Sequence, residues 1–426
     1  MNEILDAGIV GPRALLGLGG VCVLVLAVLL VPWRRHGGSA MRRLLWSGGA
    51  AVTGAVVGWV LLWLVGDVAN VFGVVLSVPT RLWVIGALAG IGIAVTALVR
   101  GGWGRRVVGI VAIPLLLLTG AAGVNAVYGQ FPTLRAALGI SRYPELDPTP
   151  DLAAVPARGE VGRVVIPATT SGFPARDALV YLPPAALTTN PPSLPVVQMM
   201  SGQPGSPEDV FGAGHLAGIL DSYAAANDGV APIVVVPDQL GAPDKNPMCV
   251  DSPLGDAASY LTIDVPTWIR STLHVDPAPG GWAIAGFSQG ATCAIQLGAA
   301  HPELYGTVFA VSSEIRPTLG NDATTIEQGF GGDAAAYAAA APTAILARNA
   351  PYSDFTTIFA VGADDAQYLD WATTLDAAAA AAGATSSLLV SPGTAHDWYT
   401  VQYAWRSTLP TLMERLTLGP TSGGGG

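Results

Sequence analysis

Ser288 lies in a G-x-S-x-G motif, residues 286–290, in surroundings that favour nucleophilic chemistry. The apolar run 282–287 predicts a buried strand, and residues 289–301 predict a helix. A serine on such a strand–turn–helix is open to substrate, and the N–H of the next residue, Gln289, faces the place where an oxyanion forms. Because 53 of the 426 residues are glycine, the motif alone is a weak signal.

A serine hydroxyl needs a general base, and His396 is the histidine whose position fits this role. In a strand–helix fold with this motif, the base follows both the serine and the acid in the sequence. Three histidines precede the serine: His36, His215 and His274. His301 ends the helix that begins at Ser288, roughly 20 Å away at about 1.5 Å per residue. His396 instead follows the last predicted strand, in a loop that can bring an imidazole over Ser288.

The acid is expected after a strand that lies between Ser288 and His396. Residues 356–361 predict this strand, and Asp364 and Asp365 follow it closely. We prefer Asp365 and keep Asp364 as the alternative, with Glu314, after the predicted strand 307–311, in third place. The aspartate that is not used would cap the following helix, a role that suits this residue type.

A second oxyanion donor is expected from the turn after the predicted strand 196–200. The turn begins Ser201-Gly202-Gln203-Pro204. Since glycine lets the backbone approach closely, the N–H of Gln203 would join that of Gln289, although an ordinary glycine–proline turn is the alternative. The histidines are too few and too scattered for metal-ligand spacing, so we predict neither a metal nor a cofactor.

The candidate catalytic and oxyanion residues all fall within residues 160–418, where strand-like and helix-like segments alternate. This alternation predicts βαβ units and a mostly parallel sheet with helices on both faces. Cys249 and Cys293 belong to this domain, and a disulfide between them would brace the turn at Ser288 and contribute roughly 4 kcal/mol. Two buried free thiols are the alternative. Residues 419–426 predict a disordered, glycine-rich tail.

The first 129 residues predict a transmembrane domain of four helices. The apolar runs 14–32, 44–65, 82–99 and 107–127 contain no Asp, Glu, Lys or Arg, and each is close to the roughly 20 residues that span a bilayer. Basic residues cluster in the first and third loops: Arg34, Arg35, His36, Arg42 and Arg43, then Arg100, Arg105 and Arg106. Arginine-rich short loops stay cytoplasmic. We therefore predict a multi-pass plasma-membrane protein whose N-terminus and second domain are extracytoplasmic, joined by a proline-rich linker, residues 130–159.

The motifs resemble those of α/β-hydrolase esterases of the esterase D and mycolyltransferase group. The resemblance is carried by residues 286–290 (GFSQG), 362–365 (GADD), 396–398 (HDW), 248–253 (MCVDSP) and 260–261 (YL). It covers about residues 160–418 and implies an α/β-hydrolase fold with Ser288 as nucleophile, Asp365 as acid and His396 as base. The chain departs from the group before the oxyanion residue, where Ser201-Gly202 replaces the usual His-Gly or Asp-Gly.

These features predict a membrane-anchored serine ester hydrolase whose partners are the lipid bilayer and a membrane-lipid or cell-envelope ester. The net charge of −10 argues against nucleic acid as a partner. In layout the chain is similar to hydrolases that remove amino acids from aminoacylated phosphatidylglycerol. An envelope acyltransferase of the mycolyltransferase type is the first alternative, and a non-catalytic receptor or assembly protein with a hydrolase-like domain is the second.

Overall fold

The computed structural model describes residues 2–31, 40–148 and 152–417. The chain divides into two compact units, Met1–Ile140 and Ser141–Gly426. Three residues of the first predicted cytoplasmic loop, Arg34, Arg35 and His36, lie outside the described residues, as does the predicted tail 419–426.

The described part of the first unit consists of helices: α1 Asn2–Leu5, α2 Pro12–Leu30, α3 Ala40–Leu62, α4 Val78–Arg100, α5 Trp103–Tyr128 and α6 Leu134–Ala137, with a π-helical turn, Trp63–Val68, that continues α3. Within this part, four helical segments are long and apolar enough to cross a membrane: Pro12–Leu30, Met41–Val68, Val78–Arg100 and Trp103–Tyr128. The predicted set of four apolar N-terminal helices is therefore confirmed.

Helices α3 and α4 pack closely because glycine faces the neighbouring backbone. A Cβ atom on Gly54 would lie 2.2 Å from the Leu88 carbonyl oxygen, and one on Gly92 would lie 2.1 Å from that of Ala50. Small residues that allow such contact are typical of helix packing in lipid. Large apolar side chains on the four long helices α2 to α5 are exposed, among them Leu24, Val57, Leu82 and Ile110. An exterior of this kind suggests membrane association.

The second unit is built on a mixed sheet. Its strands are β1 Glu160–Val164, β2 Ala178–Leu182, β3 Val196–Met200, β4 Ile233–Val236, β7 Trp282–Phe287, β8 Thr307–Val311, β9 Thr356–Gly362 and β10 Thr385–Ser391, while β5 Asp251–Ser252 and β6 Gly255–Asp256 form a separate hairpin. Among the described residues the order across the sheet is β1-β2-β4-β3-β7-β8-β9-β10. β2 runs antiparallel to β1 and β4, and the other neighbouring pairs are parallel. The predicted, mostly parallel sheet is confirmed.

The helices of this unit are α7 Pro207–Gly212, α8 Leu216–Ala225, α9 Ala257–Ser259, α10 Val265–Thr272, α11 Gln289–Ala300, α12 Asp322–Thr324, α13 Ala334–Ala339, α14 Pro342–Asn349, α15 Ala366–Ala381 and α16 Trp398–Thr417. Helices α8 and α16 join one core with the side chains of Ala283, Ala285 and Phe287 on β7. Helix α11 packs on the opposite face, where Gly298 lies against Ile284. Helices therefore cover both faces, because alternate residues of each buried strand point to opposite sides.

Residues 141–148 of the predicted linker belong to the second unit and pack against its sheet. Leu146 donates its N–H to the Arg163 carbonyl oxygen at 2.9 Å, and Tyr143 is buried in the core.

The sequence also predicts a helix over about residues 253–272, and this prediction is wrong in its first part. Residues 251–256 form the β5–β6 hairpin, in which Gly255 has a φ of +128° that a helix cannot contain. The Asp251 carboxylate then accepts hydrogen bonds from the N–H and the hydroxyl of Ser259, which sets the start of the short helical segments that follow.

Candidate active site

Ser288 occupies a sharp turn between β7 and α11. Its backbone has φ 56° and ψ −120°, a region that residues other than glycine rarely enter. Its N–H donates to the Val311 carbonyl oxygen at 2.9 Å, which ties the turn to the neighbouring strand β8. The side chain is partly exposed, although both flanking segments are buried. This strained strand–turn–helix has the geometry of a nucleophile elbow.

The two glycines of the motif are required by close backbone contacts. A Cβ atom on Gly286 would lie 2.1 Å from the Gly290 carbonyl oxygen, and one on Gly290 would lie 2.3 Å from that of Ser201. Since atoms cannot approach so closely, any side chain at either position would force the elbow open. The motif is therefore explained by packing as well as by chemistry.

We expect Gly290→Ala to lower the free energy of unfolding by about 3 kcal/mol, because the added methyl group overlaps fixed backbone atoms. Gly218→Ala in α8 is the matched control, since a Cβ atom there meets nothing within 4 Å, and alanine stabilises a helix by up to about 1 kcal/mol relative to glycine. Thermal unfolding of the detergent-solubilised protein measures both. A wild-type midpoint for Gly290→Ala would contradict the packing argument.

The structure brings Ser288, His396 and Asp365 together. His396 Nε2 lies 2.8 Å from Ser288 Oγ, and His396 Nδ1 lies 3.1 Å from Asp365 Oδ2. Asp365 follows β9 and is only 6% exposed, whereas His396 lies in the loop between β10 and α16. A continuous hydrogen-bonded path therefore runs from a buried carboxylate through an imidazole to the serine hydroxyl.

Asp364, the alternative acid, is exposed, and its N–H donates to the Thr394 carbonyl oxygen at 2.9 Å. The prediction that the remaining aspartate caps α15 is wrong. Asp365 itself occupies the N-cap position and its side chain makes no capping hydrogen bond, because the carboxylate faces His396. Asp364 therefore lies beside the site without a contact to the imidazole in the described structure.

Two aromatic rings hold the imidazole, and neither contact was predicted from the sequence. The ring centroid of Phe287 lies 5.1 Å from that of His396, and the centroid of Tyr368 lies 4.1 Å from it. The Tyr368 hydroxyl also hydrogen-bonds Ser288, and burial raises the pKa of this phenol well above its usual value. Tyr368 follows Asp365 by three residues, a spacing that places two residues on the same side of a helix. That spacing is the signal that could have identified it.

Asp397, which follows His396 in the sequence, caps α16. Its carboxylate accepts hydrogen bonds from the N–H groups of Ala395 and Thr400, each at 2.9 Å. Burial raises the pKa of this carboxyl above its usual value. These contacts fix the backbone on both sides of His396, so they help to hold the imidazole in place.

The turn after β3 lies against the elbow, as predicted for an oxyanion site. A Cβ atom on Gly202 would be 3.5 Å from Ser288 Cβ, and Gln203 follows directly. Gln289 is the first residue of α11, so its N–H has no acceptor within the helix. Both N–H groups thus belong to segments that border the serine, and their role as oxyanion donors stays a prediction.

A buried amide network joins the two segments. The Gln239 amide donates to the Gln289 side-chain oxygen at 3.0 Å and to the Ser201 carbonyl oxygen at 2.7 Å. The Gln289 amide in turn donates to the side-chain oxygen of Asn246 at 3.0 Å. The side chain of Gln289 therefore has a positioning role, which the sequence did not suggest.

A buried ion pair holds the far side of the same turn. The Arg176 guanidinium donates to the Asp238 carboxylate at 2.7 and 2.8 Å and to the Gly205 carbonyl oxygen at 3.0 Å. Asp238 is fully buried, and a buried carboxylate that loses its cation is strongly destabilising. Nothing in the sequence around Arg176 indicated this partner, because the two residues come from distant segments.

Cys249 and Cys293 form a disulfide with a Cα–Cα distance of 5.5 Å and a sequence separation of 44 residues. The predicted pairing is confirmed, and the alternative of two free thiols is wrong. Cys293 is in the second turn of α11, so the bond links the helix of the elbow to the loop before β5. Among the described residues, no group of three or more His, Cys, Asp or Glu side chains could hold a metal ion.

The second unit has the features that define the α/β-hydrolase class. These are the strand order, the helices on both faces of the sheet and the serine elbow after a central parallel strand. The family described as "Putative esterase" matches residues 175–416, more than half of the chain. The chain belongs to this esterase family and is a carboxylic ester hydrolase.

The chain is also similar to a protein sequence over most of its length and to solved structures over its second unit. An uncharacterized protein of Corynebacterium glutamicum is 31% identical over 440 residues, which cover 97% of this chain and 99% of the relative. A ferulic acid esterase structure has a TM-score of 0.51 and 18% identity and covers 61% of this chain and 99% of its own. An S-formylglutathione hydrolase from Agrobacterium tumefaciens has a TM-score of 0.50 and 20% identity over 61% and 97% of the two chains. At these identities the two solved structures show the shared fold.

Proposed function

We propose that the protein hydrolyses a lipid- or envelope-linked ester outside the cell, with Ser288, His396 and Asp365 as its catalytic triad. The observation that carries this proposal is the hydrogen-bonded path from Asp365 through His396 to Ser288. It supports the proposal because a serine needs a base, and the base needs a group that fixes its tautomer.

In the first half of the reaction, Ser288 Oγ attacks the ester carbonyl carbon while His396 Nε2 takes the hydroxyl proton. The N–H groups of Gln289 and Gln203 would stabilise the negative charge on the carbonyl oxygen. The bond to the alcohol breaks, and His396 returns the proton to the leaving oxygen. In the second half, His396 removes a proton from water as the water oxygen attacks the acyl carbon. The bond to Ser288 Oγ then breaks, the acid leaves, and His396 returns the proton to Ser288 Oγ. Asp365 stays ionised and holds the imidazolium that forms in each half.

The proposed location rests on the first unit and on the disulfide. Arg42 and Arg43 lie at the start of α3, and Arg105 and Arg106 at the start of α5. With the basic residues on the cytoplasmic side, the second unit follows the fourth span on the outside. A disulfide persists in an oxidising compartment, so the bond between Cys249 and Cys293 favours the same side.

The proposed substrate class rests on the anchor. A soluble ester requires no membrane attachment of its hydrolase, whereas a lipid ester is confined to the same bilayer as the four apolar helices. Aminoacylated phosphatidylglycerol is the candidate that the layout of the chain suggests.

A fluorophosphonate probe tests the proposal on the purified full-length protein. We expect covalent labelling of Ser288, located by mass spectrometry of the digested protein, and a parallel loss of hydrolysis of a short-chain nitrophenyl ester. Heat-denatured protein is the control, because an unfolded serine has no base beside it and should not react. An active enzyme whose Ser288 carries no label would contradict the proposed nucleophile. Products from envelope lipids, with and without an acceptor alcohol, then distinguish hydrolysis from acyl transfer.

A further inference from the structure

Glu314 is a carboxylate beside the nucleophile that the triad does not use. Glu314 follows β8, and its backbone N–H donates a hydrogen bond to Thr292 Oγ1 at 2.9 Å. The Thr292 hydroxyl lies 3.2 Å from the Ser288 carbonyl oxygen and 3.4 Å from Glu314 Oε2. One threonine on the first turn of α11 therefore links the carboxylate to the elbow.

The Glu314 side chain is partly exposed, so a ligand can reach it. Burial by the surrounding protein nevertheless raises the pKa of this carboxyl to about 7. The Glu314 charge also contributes to the raised pKa of Tyr368, which contacts both Ser288 and His396. Glu314 is thus close enough to influence the groups around the scissile bond.

Glu314 has no cationic partner among the residues that the structure describes. The nearest basic residue in sequence, Arg316, pairs with Asp322 at 3.2 Å. Within the described chain the Thr292 hydroxyl is the side-chain donor to this carboxylate, and one long hydrogen bond does not compensate for burial of a charge. A cation placed beside the carboxylate would do so, since a nearby opposite charge favours the ionised form.

We propose that Glu314 forms a subsite for an ammonium group that the ester substrate carries close to its scissile bond. This inference rests on the proposed function, because it assumes that Ser288 is the nucleophile. The carboxylate is linked to the elbow through Thr292 without being part of the triad, since Asp365 already binds His396. The ammonium group can belong to the acyl part or to the alcohol part of the ester, and the chemistry of recognition is the same.

Two pairs of isosteric esters test the proposal and separate these sources. Alanyl glycerol and isobutyryl glycerol differ by an ammonium in place of a methyl group in the acyl part. Choline butyrate and 3,3-dimethylbutyl butyrate differ by a quaternary ammonium nitrogen in place of a carbon atom in the alcohol part. We expect the wild-type protein to prefer the ammonium ester in one pair by about tenfold or more in kcat/KM, the range of an interaction with a charged group.

Glu314→Gln is the decisive variant, because glutamine keeps the shape and can still accept a hydrogen bond from Thr292. We expect it to lose about tenfold or more of the preference, while kcat/KM for the neutral ester changes by less than about twofold. Glu327→Gln is the matched control, since Glu327 is exposed, and its preference should equal that of the wild type.

Three results would overturn the subsite. The first is a wild-type enzyme that hydrolyses both members of each pair equally, a result that needs no variant to fold. The second is an unchanged preference in Glu314→Gln. The third is an equal loss on the charged and the neutral ester, which indicates a structural role. Failure of the proposed function is distinct from all three, because Ser288 would then resist the fluorophosphonate and no ester would be hydrolysed.

Discussion

Replacing Ser288 by alanine is expected to lower kcat for ester hydrolysis by about 10⁶-fold, and His396→Ala is expected to have an effect of similar size. In the proposed mechanism the serine supplies the attacking oxygen, and the imidazole, whose Nε2 lies 2.8 Å away, removes its proton, so neither group functions alone. The double variant should be no slower than either single variant, since residues that act as one unit are not additive. Steady-state rates with a short-chain nitrophenyl ester measure all three.

Ser271→Ala provides the matched control for these rates. Ser271 is an exposed serine near the end of α10, and its replacement should leave kcat unchanged. If Ser288→Ala kept more than about a hundredth of the wild-type kcat, with that rate surviving repurification, the assigned nucleophile would be wrong.

Asp365→Asn is expected to lower kcat by about 10⁴-fold, whereas Asp364→Asn should remain close to the wild type. An asparagine at position 365 can donate its amide N–H to His396 Nδ1. This contact favours the tautomer with the proton on Nε2, and Nε2 can then no longer accept the proton of the Ser288 hydroxyl. The exposed carboxylate of Asp364 makes no such contact in the described structure. The comparison is sharp because the two aspartates are adjacent in sequence and the substitutions are chemically identical.

The same kinetic assay checks this pair, and circular dichroism establishes that each variant is folded. Equal losses in both variants would indicate a general effect on the start of α15. A loss confined to Asp364→Asn would transfer the role of the acid to Asp364 and contradict the geometry at His396.

The predictable parts of the fold are those in which the local sequence pattern agrees with the burial that the sheet requires. The limits of β3, β7 and β8 match the predicted strands, because short runs of β-branched or apolar residues are buried on both faces of a parallel sheet. The order of Ser288, Asp365 and His396 along the chain was equally informative, since a fold of this type brings the carboxyl ends of its parallel strands to one edge. Chain order therefore served as a guide to proximity.

Other features depend on contacts between distant segments, which no local pattern records. Arg176 and Asp238 are 62 residues apart, and the amide chain from Gln239 to Asn246 exists only once the sheet and α11 have met. The helices α7, α8 and α14 were missed because they are short, and tertiary packing decides such elements more than propensity does. Tyr368 was predictable in principle, but its ring contact with His396 requires the loop after β10 to be in place.

The backbone at Ser288 has a consequence for which amino acids can serve as the nucleophile. A φ of 56° with a ψ of −120° is a severe outlier for a side chain that branches at Cβ. Threonine offers the same hydroxyl group as serine, yet its extra methyl group conflicts with this backbone. Cysteine has the unbranched shape of serine and differs in its reacting atom. Replacement of Ser288 by another nucleophile is therefore limited first by branching at Cβ and only then by the reactivity of the γ atom.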